Sequence, residues 1–192
     1  MASAPTATKR YTVEDLAQFP DDGKLRELVD GRIEEWEVTT ARHGLLMSLL
    51  STLLTNHVRP RRLGRVVSGD SLVRVLGSDF DARGGDVAYY VHGRFPRDAD
   101  APATDTPPDF VIEILSPSDR AAAVEAKVAD WLRAGVRLLW YANPETGTTM
   151  VYQGDRVLRL GPDQVLDAGD VVPGFQIRMR ELLDEFEEAV TE

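Results

Sequence analysis

The 192-residue chain contains no cysteine, which excludes disulfides, thiolate metal sites and cysteine nucleophiles. Long apolar runs are missing as well. The richest one, Gly44 to Leu54, is interrupted by Ser48, Ser51 and Thr52 and is too short to cross a bilayer. The opening MASAPTATKR has no apolar signal core, so a cytoplasmic location without a membrane partner is expected. Positive charge is scarce: 22 Lys and Arg stand against 32 Asp and Glu, a net charge of −10. Attraction to polyanions draws on Lys and Arg displacing counterions, so a nucleic-acid reading requires a local basic surface.

What remains is ordinary for a globular protein, with 43% hydrophobic and 28% charged residues. A chain of this size buries roughly 70% of its unfolded surface and fits one domain. Residues 1–10 are small and polar and are expected to form a disordered tail, with a single domain over 11–190. Thr12 is placed to cap a short helix that ends at Pro20. Two strand-like runs flank Asp30-Gly31, a hairpin signal. From Thr39 or Thr40, leucines at helical spacing predict an amphipathic helix over 40–58, ended by Pro60.

Strands are expected at 65–68, 71–76 and 86–91, the last preceded by a flexible RGG. Residues 92–108 carry four prolines and five charged side chains and read as an exposed loop. A strand at 109–115 leads into a helix near 118–134 that stops at Gly135, with Ser116 in the capping region. VRLLWYA is a further buried strand, TTMVYQGDRVLRL a hairpin, and an acidic helix over about 180–189 closes the chain. This order predicts an α/β domain with a mixed sheet.

One residue stands out. In DFVIEIL, Glu113 sits among Val111, Ile112, Ile114 and Leu115, and a carboxylate there needs a partner, a metal ion or a shifted pKa. Strand alternation puts Asp109, Val111, Glu113 and Leu115 on one face. On the next helix Val124, Val128, Trp131 and Leu132 form the apolar stripe, with Lys127 at its margin. A crossover helix packs on the sheet it leaves, so Lys127 is expected to turn toward Glu113. Asp86 opens the strand DVAYYV; if that strand pairs with 109–115, two carboxylates and an ammonium group converge. Such a trio suits phosphodiester cleavage: carboxylates hold Mg²⁺, which acidifies water, and a lysine stabilises the transition state.

The Asp at a strand start, FVIEILSPSDR, the helical Lys and AGVRLLWYANP resemble the putative restriction endonuclease family of the PD-(D/E)XK nuclease superfamily. ELVDGRIEE, His43 before the leucine helix and VPGFQIRMREL fit the same pattern, over roughly residues 11 to 187. The resemblance implies a restriction endonuclease-like fold: a mixed β-sheet core flanked by helices, with an N-terminal hairpin and helix. It implies a Mg²⁺-dependent DNA endonuclease, Mn²⁺ substituting, with Asp86 and Glu113 as metal ligands and Lys127 as the catalytic lysine. The Ile114 carbonyl and Glu27 are further candidate metal contacts. The chain departs from the pattern at Gly85, where the superfamily has proline, at Leu115, where it has lysine, and at Ala123, where the family often has an acid.

Each residue also has a plainer reading. Glu113 could be a salt-bridged strand carboxylate, Asp86 a turn residue, Lys127 a snorkelling side chain and Glu27 a cross-strand ion pair. His43 is a candidate base or substrate contact, or a capping histidine. Arg59, Arg61 and Arg62, with Arg65, lie within seven residues and either contact DNA phosphates or sit in a solvated loop. The leucines of 45–54 suit a core or a homodimer seam. The alternatives are therefore a DNA-cutting enzyme, a catalytically inactive dimeric binding module on the same fold, or a hydrolase of a small phosphorylated substrate.

Overall fold

The computed structural model describes residues 9–20, 22–36, 40–69 and 71–191. Chain order begins with helix α1 (Val13–Leu16), strands β1 (Leu25–Val29) and β2 (Arg32–Trp36), and helix α2 (Ala41–Arg61). Strands β3 (Gly64–Ser68), β4 (Leu72–Arg74), β5 (Ala82–Gly84), β6 (Val87–Val91) and β7 (Phe110–Ile114) follow. Helix α3 (Ala121–Ala134) leads to β8 (Leu138–Ala142), β9 (Thr149–Gln153) and β10 (Arg156–Leu160). The short pair β11 (Leu166–Asp167) and β12 (Gln176–Ile177) precedes helix α4 (Met179–Thr191).

Local chemistry accounts for much of this. Thr12 and Asp15 form a reciprocal capping box on α1. Asp30 and Gly31 both take positive φ, 47° and 72°, the left-handed pair that a two-residue hairpin loop needs. The Thr40 side chain accepts from the His43 amide at the start of α2, and Gly135 ends α3 with φ 96°.

The strands build two main sheets. The larger has the order β10-β9-β8-β7-β6-β3, and the smaller β2-β1-β5-β4. Among the named strands of the described residues only the β7–β8 pair is parallel, and α3 is its crossover. On one face of the large sheet, Phe110, Ile112 and Ile114 pack with Leu46, Leu50, Leu54 and Val58 of α2. On the other, Val111 and Leu139 pack with Val128 and Trp131 of α3. The chain passes from the small sheet to the large one through Gly85-Asp86, between β5 and β6.

Several expectations change. The RGG segment is no flexible loop, because Ala82, Arg83 and Gly84 form a buried strand paired to β1 and β4. The leucine helix runs past Pro60 to Arg61. A proline this late removes only the bond to Asn56, an exposed residue whose carbonyl water can satisfy. Helix α3 starts at Ala121 with Arg120 at its N-cap, while Ser116 and Asp119 close a turn upstream, so Ser116 is no cap. The 71–76 strand ends at Arg74 in a one-turn 3₁₀ segment. Of the proposed tail, residues 1–8 lie outside the described residues. Arg10 is anchored by an ion pair to Asp30 at 2.8 Å and packs over the Phe80 ring.

Candidate active site

The sheet-to-sheet joint brings five polar side chains, from two strands, the joint itself and two helices, around one cavity of about 350 Å³. Glu27 of β1, Asp86 of the joint, Glu113 of β7, Lys127 of α3 and His43 of α2 all line it. The expected β6–β7 pairing is present, with Val87 opposite Ile112. Asp86, one residue before β6, extends this ladder: its Oδ2 accepts the Ile114 amide at 2.7 Å.

Lys127 Nζ lies 3.1 Å from Glu113 Oε2 and 3.0 Å from Glu27 Oε1. It is placed there because Val128 and Trp131 dock α3 on the sheet, leaving Lys127 on the edge facing the joint. Glu113 Oε1 accepts the Trp131 indole N–H at 2.6 Å. Glu27 is held on both oxygens: Oε1 also accepts the Gly84 amide, and Oε2 accepts Arg83 Nη1, each at 2.9 Å. Glu27 is therefore committed to cations and an amide on both sides, which disfavours it as a metal ligand. Arg83, 2% exposed, also binds Asp130 of α3 at 2.8 Å.

These partners split the two glutamates. Burial pushes the Glu113 carboxyl up to about 8; Lys127 opposes this, while the charges of Asp86 and Glu27 add to it. Burial works on Glu27 in the same direction, yet Lys127, Arg83 and the Gly84 amide outweigh it and hold its carboxyl below the usual range. Burial opposes the Lys127 charge, but Glu113 and Glu27 hold its ammonium well above the ordinary lysine value. Desolvation raises the phenol of Tyr141, opposite Glu113 on β8. The site thus keeps a charged lysine between one firmly ionised carboxylate and one poised to take or lose a proton.

His43 completes the other side. Its Nε2 is 3.3 Å from Asp86 Oδ1 and 3.1 Å from the Ile114 carbonyl oxygen. Gly85 sits beneath the acids: a Cβ there would lie 2.9 Å from Val111 Cγ1 and 3.4 Å from Trp131. The Val111 methyl, backed by the indole that binds Glu113, thus fills the space that a larger residue would need.

Arg59, Arg61 and Arg62 do not join the cavity. They end α2, sixteen or more residues after His43, which at 1.5 Å per residue is about 24 Å or further along the helix. Sequence reasoning also missed Arg83, Asp130 and the Trp131 N–H. For Arg83 the available signal was an arginine among small residues just before Asp86; nothing local pairs it with β1 and α3.

The donor set suits a hard cation that keeps water ligands. Among the described residues no three His, Asp or Glu side chains form a metal cage. The cavity offers the Asp86 and Glu113 carboxylates and the Ile114 carbonyl, all oxygen donors. Mg²⁺ is typically held by one or two carboxylates, with water and substrate oxygens completing its shell.

Among curated proteins, none matches the sequence. The chain superposes on a crystal structure described as a putative nuclease from Anabaena variabilis, with a TM-score of 0.78 and 20% identity, covering 90% of this chain and 97% of that one. This likeness establishes the restriction endonuclease-like fold. The sequence pattern of the Uma2 family, described as a putative restriction endonuclease family, matches residues 13–180, and the chain belongs to that family.

Proposed function

We propose that the protein is a divalent-metal-dependent DNA endonuclease. The observation that carries this reading is the buried Lys127 ammonium 3.1 Å from Glu113, in the cavity that Asp86 also lines. Asp86 and Glu113 would hold Mg²⁺, or Mn²⁺ in its place, with the Ile114 carbonyl as a third oxygen. When bound, the cation supplies acidified water and offsets charge on the phosphate. Lys127 keeps its proton throughout, because Glu27 remains ionised beside it. That ammonium can orient the attacking water or meet charge developing on phosphorus. Glu27, pinned by Arg83, positions Lys127 rather than touching the reacting atoms.

DNA supplies the phosphodiester in this reading, and the basic run at the end of α2 is a candidate backbone contact outside the cavity. The test is cleavage of supercoiled and single-stranded DNA with Mg²⁺ or Mn²⁺. Asp86→Asn, Glu113→Ala and Lys127→Ala are each expected to lower the rate by about 100-fold or more. Cleavage that persists unchanged in Glu113→Ala, or its absence in the parent protein despite metal uptake, overturns the assignment and favours a binding role for the fold.

A further inference from the structure

We infer that His43 is a built-in plug for the cation site, so that metal entry requires its imidazole to swing away from Asp86 and Ile114. The inference rests on the reading of Asp86 as a metal ligand and adds a regulation of that site. His43 Nε2 faces two oxygens, Asp86 Oδ1 at 3.3 Å and the Ile114 carbonyl at 3.1 Å. Neither oxygen can donate a hydrogen, so the nitrogen must carry one, and a single N–H bridges both acceptors. The ring therefore presents a polar N–H, whichever its overall charge, at the point where a cation bound to these two oxygens would sit.

The neighbouring bonds make this a competition for one oxygen. Asp86 Oδ2 is already taken by the Ile114 amide at 2.7 Å. That leaves Oδ1 as the oxygen for which imidazole and cation compete. The Ile114 carbonyl presents the same choice: β7 ends at Ile114, and its oxygen points to His43 instead of to the neighbouring strand.

The scaffold allows the exchange without unfolding. His43 is the third residue of α2, held through its backbone by Thr40. Its side chain is buried but fronts the cavity of about 350 Å³. Rotation about its own χ angles moves the ring into this space, while Leu46 and Leu50 keep the helix on the core. An N–H held by a carboxylate is a charge-assisted bond and must be broken before the cation can use the same lone pair. The plug also separates this histidine from a general base, because the nitrogen that would take a proton from water already holds one.

The experiment measures Mn²⁺ uptake by electron paramagnetic resonance and calorimetry on the full chain, independently of cleavage. His43→Ala and His43→Leu remove the N–H and are expected to tighten Mn²⁺ binding by about tenfold, the scale of one lost hydrogen bond to a charged group. His43→Gln keeps an N–H near the Nε2 position and is expected to stay close to the parent. In ¹⁵N spectra of the parent protein, the His43 Nε2 resonance should show a bound proton without metal and should shift on Mg²⁺ addition. Binding that is unchanged or weaker in His43→Ala overturns the plug, since weaker binding would make His43 a ligand. Asp86→Asn separates the two readings. Uptake lost in Asp86→Asn but untouched in His43→Ala sinks the plug alone. Uptake indifferent to Asp86→Asn, or none in any of these proteins, sinks both the metal site and the plug built on it.

Discussion

Arg74 and Arg83 each face three carboxylates at similar distances, in very different surroundings. Arg74 meets Glu14 at 2.6 Å, Asp79 at 2.7 Å and Asp105 at 3.3 Å, partners whose side chains are 58–71% exposed. Arg83 meets Asp130 at 2.8 Å, Glu27 at 2.9 Å and Glu34 at 3.5 Å, and is only 2% exposed. Around Arg74, water and salt can replace any partner that is lost. Around Arg83 the charges of Glu27 and Asp130 are buried with it, and each depends on the others, while only Glu34 reaches solvent. The first cluster fastens α1 and the loop before β7 to β4. The second fixes the geometry around Lys127. Contact distance says little about importance here; access to solvent decides it.

The largest effect expected from this contrast is at Arg83. Arg83→Ala removes the buried cation that Glu27 and Asp130 share, leaving them only Lys127 and Arg133, and should cost about 3–5 kcal/mol in urea unfolding. A loss comparable to that of an exposed pair would show that the buried network is wet. The same cluster should make metal uptake depend on pH. Glu113, its carboxyl at about 8, is faced by Lys127 and Trp131 from α3, Asp86 from the joint, Glu27 from β1 and Tyr141 from β8. If Glu113 is a metal ligand as proposed, a cation would bind its ionised form, so the affinity should rise about tenfold per pH unit from 6 to 8 and level off above, with proton release seen by calorimetry in two buffers. Pre-ionised Glu113 would instead give a flat profile.

The sign for stability is opposite. Glu113's folded value lies above the ordinary 4.5, so its contribution to stability is full below that ordinary value and declines as pH rises through about 8. The metal-free protein should therefore lose stability over the range in which it gains metal affinity.

Smaller effects sharpen the picture. Gly85→Ala would press a methyl against Val111 and Trp131 and should cost about 1–3 kcal/mol, with a change in the tryptophan fluorescence. A silent substitution would show that the indole is not confined against Glu113. Arg74→Ala should lower Tm by no more than about 3 °C, and by less in 1 M salt. A salt-insensitive loss of the size expected for Arg83 would erase the contrast.

The legible parts of this site had local signatures. Glu113 stood out because its neighbours are apolar, and Lys127 because it follows the register of an apolar stripe. The hairpin at Asp30-Gly31 was readable because few residue pairs adopt two successive left-handed conformations at low cost. The illegible parts were non-local. Strand β5 is three residues long and carries an arginine, so neither alternation nor length marks it. Arg83 makes sense only once β1 and α3 bring Glu27 and Asp130 to it. The arginines at the end of α2 drew attention by density in sequence, but a 21-residue helix carries them away from the cavity.

By itself the sequence determined the mixed α/β architecture, the apolar faces of α2 and α3, and the presence of acids and a lysine in settings that charge avoids. These follow from periodicity and turn chemistry, which act over a few residues. Only the tertiary structure decided which groups share which partner: that Lys127 bridges Glu27 and Glu113, that Arg83 secures Glu27, and that His43 closes on Asp86. The reason is physical. The energy of a buried charge is set by all the groups that displace its water, and here they come from β1, β5, β7, α2 and α3, far apart along the chain.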